Sequence, residues 1–151
     1  MRHLCDSNVF VALTVNVHPA LEAARGWLQT LLAGDTLGFC RMSEMSFLRL
    51  LTQRIAEGYA PVKNKEAVRK LEQWKRLAFV ERCNEPEGME EDWLRMAGVG
   101  QAAPKRWMDA YLAAFALHAG MRFVTLDGDF EKYKEAGIDV LMLRAPNKEG
   151  A

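Results

Sequence analysis

The stretch Leu4-Cys5-Asp6-Ser7-Asn8-Val9-Phe10-Val11-Ala12-Leu13 is apolar on both sides of one polar, acidic interruption. A short apolar run of this kind predicts a buried strand, Leu4 to Asp6, whose polar end lies at the edge of a sheet. A carboxylate among apolar neighbours is costly unless something answers its charge. Asp6 is therefore the first candidate for a functional residue.

Outward from this segment the pattern alternates. His18-Pro19 punctuates a connection, and Leu21, Ala24, Leu28 and Leu31 follow at helical spacing until Gly34-Asp35. Leu37 to Cys40 reads as a second strand. Ser43 suits the N-cap of a helix running to about Gly58, with Glu44 in its first turn and Leu48, Leu51 and Ile55 continuing the same stripe. Asn64 can cap a basic helix carrying Ala67, Leu71, Trp74 and Ala78, and Phe79 to Cys83 is strand or loop. A helix with Met89, Trp93, Met96 and Ala97 precedes the small-residue loop from Gly98 to Pro104, the best candidate for a mobile segment. Pro104 suits the start of a helix in which Asp109, Leu112, Ala113 and Ala116 share a face, and Gly120 stops it. Phe123 to Leu126 is a strand, Asp127-Gly128-Asp129 a turn, Phe130 to Ala136 a short helix and Ile138 to Leu143 the last strand. Alternation of strands and helices predicts an α/β fold with a mainly parallel central sheet and helices on both faces.

Composition bounds the rest. A chain of 151 residues, half of them hydrophobic and 26% charged, suits one globular domain spanning 1–151. No stretch approaches the roughly 20 apolar residues of a membrane span, and no signal-like region develops before Asp6, which predicts a cytoplasmic protein. Cys5, Cys40 and Cys83 lack metal or disulfide spacing and read as buried thiols. Twenty basic and twenty acidic side chains cancel overall, but residues 63–82 hold seven bases against three acids, and residues 85–92 hold five acids and no base.

Four acids fall at element ends: Asp6, Glu44, Asp109 and Asp127. Singly, Asp6 could be a helix cap, Glu44 a favourable first-turn charge, Asp109 an edge residue and Asp127 a turn former. Jointly they point elsewhere, because the carboxyl ends of parallel strands line one edge of an α/β sheet, where distant residues converge. Clustered carboxylates repel unless a cation neutralises them, and hard oxygen donors suit Mg2+ or Mn2+. His3, His18 and His118 have no ligand spacing and read as structural or surface residues, while Trp27, Trp74, Trp93 and Trp107 read as core or interface.

The segments Leu4 to Phe10, Ser43-Glu44, Trp107 to Ala114 and Val124 to Phe130 resemble, in order, the motifs of PIN-domain nucleases, most nearly the VapC-type toxins of bacterial toxin–antitoxin pairs. The resemblance runs over nearly the whole chain and is weakest between about 60 and 100. It implies a three-layer α/β/α sandwich, a Mg2+- or Mn2+-dependent endoribonuclease (a hydrolase), a homodimer, and inhibition by a cognate antitoxin protein. By motif matching, the family's metal-binding acids fall on Asp6, Glu44, Asp109 and Asp127. Asn8 and Thr125 match supporting polar neighbours, and either Asp127 or Asp129 is the fourth ligand.

Phosphodiester cleavage asks that a water lose a proton and that the phosphate accept charge, and metal ions do both. An acidic edge repels RNA, so bases must attract it; Arg41 and Arg49, flanking Glu44, rank first, followed by Arg54 and the basic stretch. Two alternatives stand beside this reading. One is a PIN-like RNA- or protein-binding module without catalysis. The other is a haloacid-dehalogenase-type phosphatase with Asp6 as nucleophile, against which Asn8 stands where that class carries a second aspartate.

Overall fold

Neighbouring residues along the strands serve opposite sides of the molecule. Leu4, Phe123 and Val140 belong to one buried cluster, whereas Cys5, Val124 and Leu141 belong to the other. A sheet buried on both faces needs this alternation of apolar side chains, and helices must cover both sides. The computed structural model describes residues 1–144 and shows that arrangement.

The order is β1 (Arg2–Cys5), α1 (Ser7–Thr14), α2 (Leu21–Leu28), β2 (Thr36–Phe39), α3 (Arg41–Leu51), α4 (Asn64–Lys75), β3 (Val80–Arg82), α5 (Glu90–Ala97), α6 (Arg106–Ala119), β4 (Arg122–Thr125), a 3-10 segment (Gly128–Ala136) and β5 (Val140–Met142). The five strands lie in the order β3-β2-β1-β4-β5 and every pairing is parallel. Successive strands grow one way from β1 to β3 and the other way from β4 to β5. The order therefore reverses between β1 and β4, where the strands' carboxyl ends leave a crevice. The three-layer sandwich expected from the sequence is the fold observed.

One layer is α1 to α4, centred on an aromatic group. The Phe10 and Phe39 rings stack 3.7 Å apart, Phe47 meets both edge-on, and Trp74 meets Phe10 edge-on while its Nε1 donates to Thr14 Oγ1. Each buried phenylalanine removes enough apolar area from water to stabilise the fold by about 2–3 kcal/mol. The other layer is α5, α6 and the 3-10 segment, where Ala110, Ala113, Ala114 and Ala116 let α6 lie close against the sheet. Gly120, at φ 64°, ends α6 in the left-handed conformation that glycine adopts without strain. Gly38 is required for a different reason: a Cβ there would stand 2.7 Å from Cys83 Sγ and 2.8 Å from Met121 Cε.

Several boundaries differ from the sequence reading. The first strand ends at Cys5, and Asp6 becomes the N-cap position of α1. The apolar run after it is helical; Val9, Phe10, Val11 and Ala12 are all buried, so α1 has no polar stripe to betray its period. Ser43 lies inside α3 instead of capping it, accepting from the Cys40 N–H and donating to the Cys40 carbonyl. That helix stops at Leu51 and not near Gly58, because Tyr59 Oη and the Val62 N–H return to the Leu51 carbonyl. Lys63, not Asn64, holds the cap position of α4, and β5 is shorter than Ile138 to Leu143. His3 and His18 take structural roles: His3 packs edge-on to Trp27, and His18 Nδ1 accepts from the Ala20 N–H. All three cysteines are free and buried. No helix among the described residues is long and apolar enough to cross a membrane.

Candidate metal centre

Asp6 leaves β1 at the reversal point, its N–H bonded to the Val124 carbonyl of β4. Oδ2 of Asp6 accepts from Thr125 Oγ1 at 2.7 Å and from Asn8 Nδ2 at 3.1 Å. Both partners face two ways. Thr125 Oγ1 also accepts the Asp127 N–H at 3.0 Å, and Asn8 Oδ1 accepts the Leu126 N–H at 3.2 Å. The end of β4 is thereby laced to the end of β1, with Asp127 held beside Asp6. A carboxylate gripped on one oxygen keeps its orientation, as a ligand for a cation must.

Asp109 arrives from the first turn of α6, buried, on the face that closes the crevice. Asp6, Asp109 and Asp127 line one cleft of about 310 Å3, together with Asn8, Ser43, Ser46, Arg49 and Lys105. Burial pushes the Asp6 carboxyl up to about 6; the Thr125 hydrogen bond pulls it down, and the charges of Asp109 and Asp127 raise it again. Burial likewise raises Asp109, with Lys105 opposing. At Asp127 desolvation works upward, but the Lys105 hydrogen bond and the Asp129 N–H outweigh it, leaving this carboxyl below its ordinary value. Asp129 is largely exposed and gives its N–H to Oδ1 of Asp127 at 2.9 Å, which orients Asp127. Among the described residues no trio of His, Cys, Asp or Glu side chains is drawn close enough to hold a metal ion as it stands. Two of the cleft's acids, Asp109 and Asp127, together with the neighbouring Asp129, surround the ammonium of Lys105.

Glu44 does not join the aspartates, contrary to the convergence of four acids expected from the sequence. Successive residues of a helix are turned by about 100°. Met42, Ser43, Ser46, Arg49 and Leu50 take the face of α3 toward the cleft, while Glu44 points with Arg41, Met45 and Leu48 toward α4. There Glu44 is buried beneath three cations: Arg41 Nη1 donates to Oε2 at 3.0 Å, and Lys75 Nζ and Arg82 Nε stand 3.1 and 3.9 Å from Oε1. It fastens α3, α4 and β3 together. The two arginines chosen from sequence separate accordingly, Arg49 at the cleft and Arg41 in the Glu44 cluster. Ser46 and Lys105 are cleft residues that the sequence reading passed over. Lys105 had a signal, since it precedes Asp109 by four residues and so faces it across one helical turn. Ser46 had none.

A parallel sheet with a carboxylate-lined crevice at its reversal point defines an α/β protein built to bind a cation or a polar ligand at that edge. The family model "PIN domain" matches residues 4–136, and the chain belongs to the PIN-domain family. Within it, the chain is 41% identical over 150 residues to Ribonuclease VapC41 of Mycobacterium tuberculosis, covering 93% of this chain and 97% of that protein. Solved structures share the fold at low identity. VapBC2 from Rickettsia felis, bound to a DNA fragment from its promoter, superposes with a TM-score of 0.68 at 14% identity over 95% of this chain and all of that one. Mycobacterium tuberculosis VapC20, described as a sarcin-ricin loop cleaving toxin, gives 0.66 at 15% identity over 95% and 99%.

Proposed function

We propose that this chain is a ribonuclease of the VapC kind, the toxin of a toxin–antitoxin pair, cutting RNA phosphodiester bonds with Mg2+ or Mn2+ held by Asp6, Asp109 and Asp127. The observation that carries the reading is the meeting of three aspartates from three separate elements in one cleft at the sheet's reversal point. Their all-oxygen donor set fits a hard divalent cation, and the Lys105 ammonium beside Asp109 and Asp127 marks the place as one that attracts positive charge. The relationship to Ribonuclease VapC41 supports RNA as the substrate. Glu44 is no part of the proposed ligand set, and Asp127, not the exposed Asp129, is the third acid.

A bound Mg2+ or Mn2+ supplies a water of lowered pKa and charge neutralisation at the phosphate. Thr125 and Asn8 hold Asp6 at a fixed angle, Asp129 holds Asp127, and Arg49 at the cleft wall attracts the phosphate backbone that the acids repel. Asn8, two positions beyond Asp6, is committed as donor to Asp6 and acceptor from Leu126, a positioning role that leaves the phosphatase alternative without its second acid.

An antitoxin partner belongs to the same proposal. The cleft between α3 and α4, floored by Met45, Leu48, Val68 and Leu71 and rimmed by Arg41, Lys75 and Arg76, suits an amphipathic helix with acidic edges. Leu94, Trp107 and Met108, exposed on α5 and α6, support the homodimer. A cytoplasmic site of action goes with both.

The test is cleavage of total RNA from the source organism with Mn2+ or Mg2+. Wild-type protein is expected to cut at least one structured RNA, chelator to stop it, and Asp109→Ala to be folded and inactive. No cleavage, or equal cleavage by Asp109→Ala, would replace the nuclease with a non-catalytic RNA-binding module.

A further inference from the structure

Lys105 Nζ stands 2.5 Å from Oδ2 of Asp127, 2.9 Å from Oδ2 of Asp129 and 3.3 Å from Oδ2 of Asp109. Two of these oxygens belong to acids of the proposed metal set. Lys105 occupies the N-cap position of α6, where the helix dipole disfavours a positive charge, so the helix itself gives no reason for a lysine here. Its partners do: three carboxylates stand within 3.3 Å of the ammonium, which donates hydrogen bonds to Asp127 and Asp129. The side chain is 58% exposed, so it can swing into solvent without disturbing the core.

We infer that Lys105 is a tethered cation competing with the divalent ion for Oδ2 of Asp109 and Asp127, so that metal enters the cleft only by expelling it. The inference rests on the proposed metal site. An ammonium and a divalent ion on the same two oxygens repel each other, and each neutralises the same carboxylates. An ammonium donates to oxygens at hydrogen-bond distance, farther out than the roughly 2.0–2.2 Å of Mg2+ or Mn2+ ligation, so the two cations ask for different spacings of the same carboxylates. The device lowers the negative charge of the cleft when metal is scarce and makes metal loading an exchange of cations.

The test titrates Mn2+ alone into wild type, Lys105→Gln and Lys105→Arg, with free Mn2+ read by electron paramagnetic resonance and melting temperature read with and without the ion. Lys105→Gln is expected to bind Mn2+ about tenfold more tightly, the scale for removing a network of partly exposed ion pairs. Its metal-free form should melt lower, its metal-induced rise should be larger, and Lys105→Arg should stay near wild type. Equal or weaker binding by Lys105→Gln overturns the inference and leaves the metal site standing. Absence of Mn2+ binding by every form overturns both.

Discussion

The Thr125 hydroxyl donates to Oδ2 of Asp6 over 2.7 Å, although 119 positions separate the two residues. The oxygen of that Thr125 hydroxyl accepts the Asp127 N–H. One side chain thus sets the orientation of one acid and the backbone of another, and the crevice between β1 and β4 depends on it for its shape.

Thr125→Val keeps the volume and removes the hydroxyl. The half-buried Asp6 then loses a donor, which should cost about 2 kcal/mol in denaturant unfolding. Cleavage should fall about 10- to 100-fold, as for other partners that orient metal-ligating groups. Thr125→Ser should restore most of both, and wild-type cleavage by Thr125→Val would show that Asp6 holds its angle without this bond.

Glu44 offers a test that separates a structural carboxylate from the proposed metal ligands. Glu44→Ala leaves Arg41, Lys75 and Arg82 facing one another around a vacated, buried position, and it should lower stability by about 2 kcal/mol, less than for a fully buried pair because the cations are partly exposed. Mn2+ affinity measured by calorimetry should be unchanged. A large loss of affinity with stability intact would return Glu44 to the ligand set.

Gly38→Ala should destabilise the protein by about 1–3 kcal/mol, since the new methyl meets Cys83 Sγ, Met121 Cε and, at 3.2 Å, the His3 carbonyl. The Met121 terminus can move; the backbone carbonyl cannot. Cys83→Ala in the same chain should recover part of the loss, a non-additivity readable from thermal melts of the two single variants and the double one.

The far end of the sheet carries an acid-sensitive clamp. Arg2 donates to Glu81 Oε1 and to the Ala119 carbonyl, and Thr36 Oγ1 donates to Glu81 Oε2, tying β1, β2 and β3 together. The Arg2 hydrogen bond, with help from Thr36 against partial burial, holds the Glu81 carboxyl down at about 2. A carboxyl whose pKa is lowered on folding gives stability that is present above its ordinary value near 4.5 and is lost as pH falls toward 2. The melting-temperature gap between wild type and Glu81→Gln should therefore be widest at neutral pH and close through that window. A gap constant from pH 7 to pH 3 would show that Glu81 acts through packing alone.

Much of this architecture is written in local pattern. Leu37 to Phe39 and Phe123 to Thr125 form strands because short apolar runs are bounded by polar or turn residues, and α6 ends at Gly120 because only glycine takes that conformation cheaply. Asp6, Asp109 and Asp127 stood out in the sequence because each is an acid beside an apolar segment at an element's end, and a parallel α/β order sends such ends to one edge. The periodicity of α1 was hidden because a helix buried all round shows no stripe.

What only the tertiary structure decided are rotations and long-range pairings. Ser46 and Glu44 are two residues apart in one helix, and which of them faces the cleft depends on how α3 is turned about its axis against the sheet and α4, a packing choice that spacing alone leaves open. Lys105 meets Asp127 and Asp129 across 22 and 24 positions, and Glu44 meets Lys75 and Arg82 across the α3–α4 cleft. Ion pairs of this kind have no period. The sequence alone established the alternation and its acids; the close packing of helices on a twisted sheet decided which charge each acid meets.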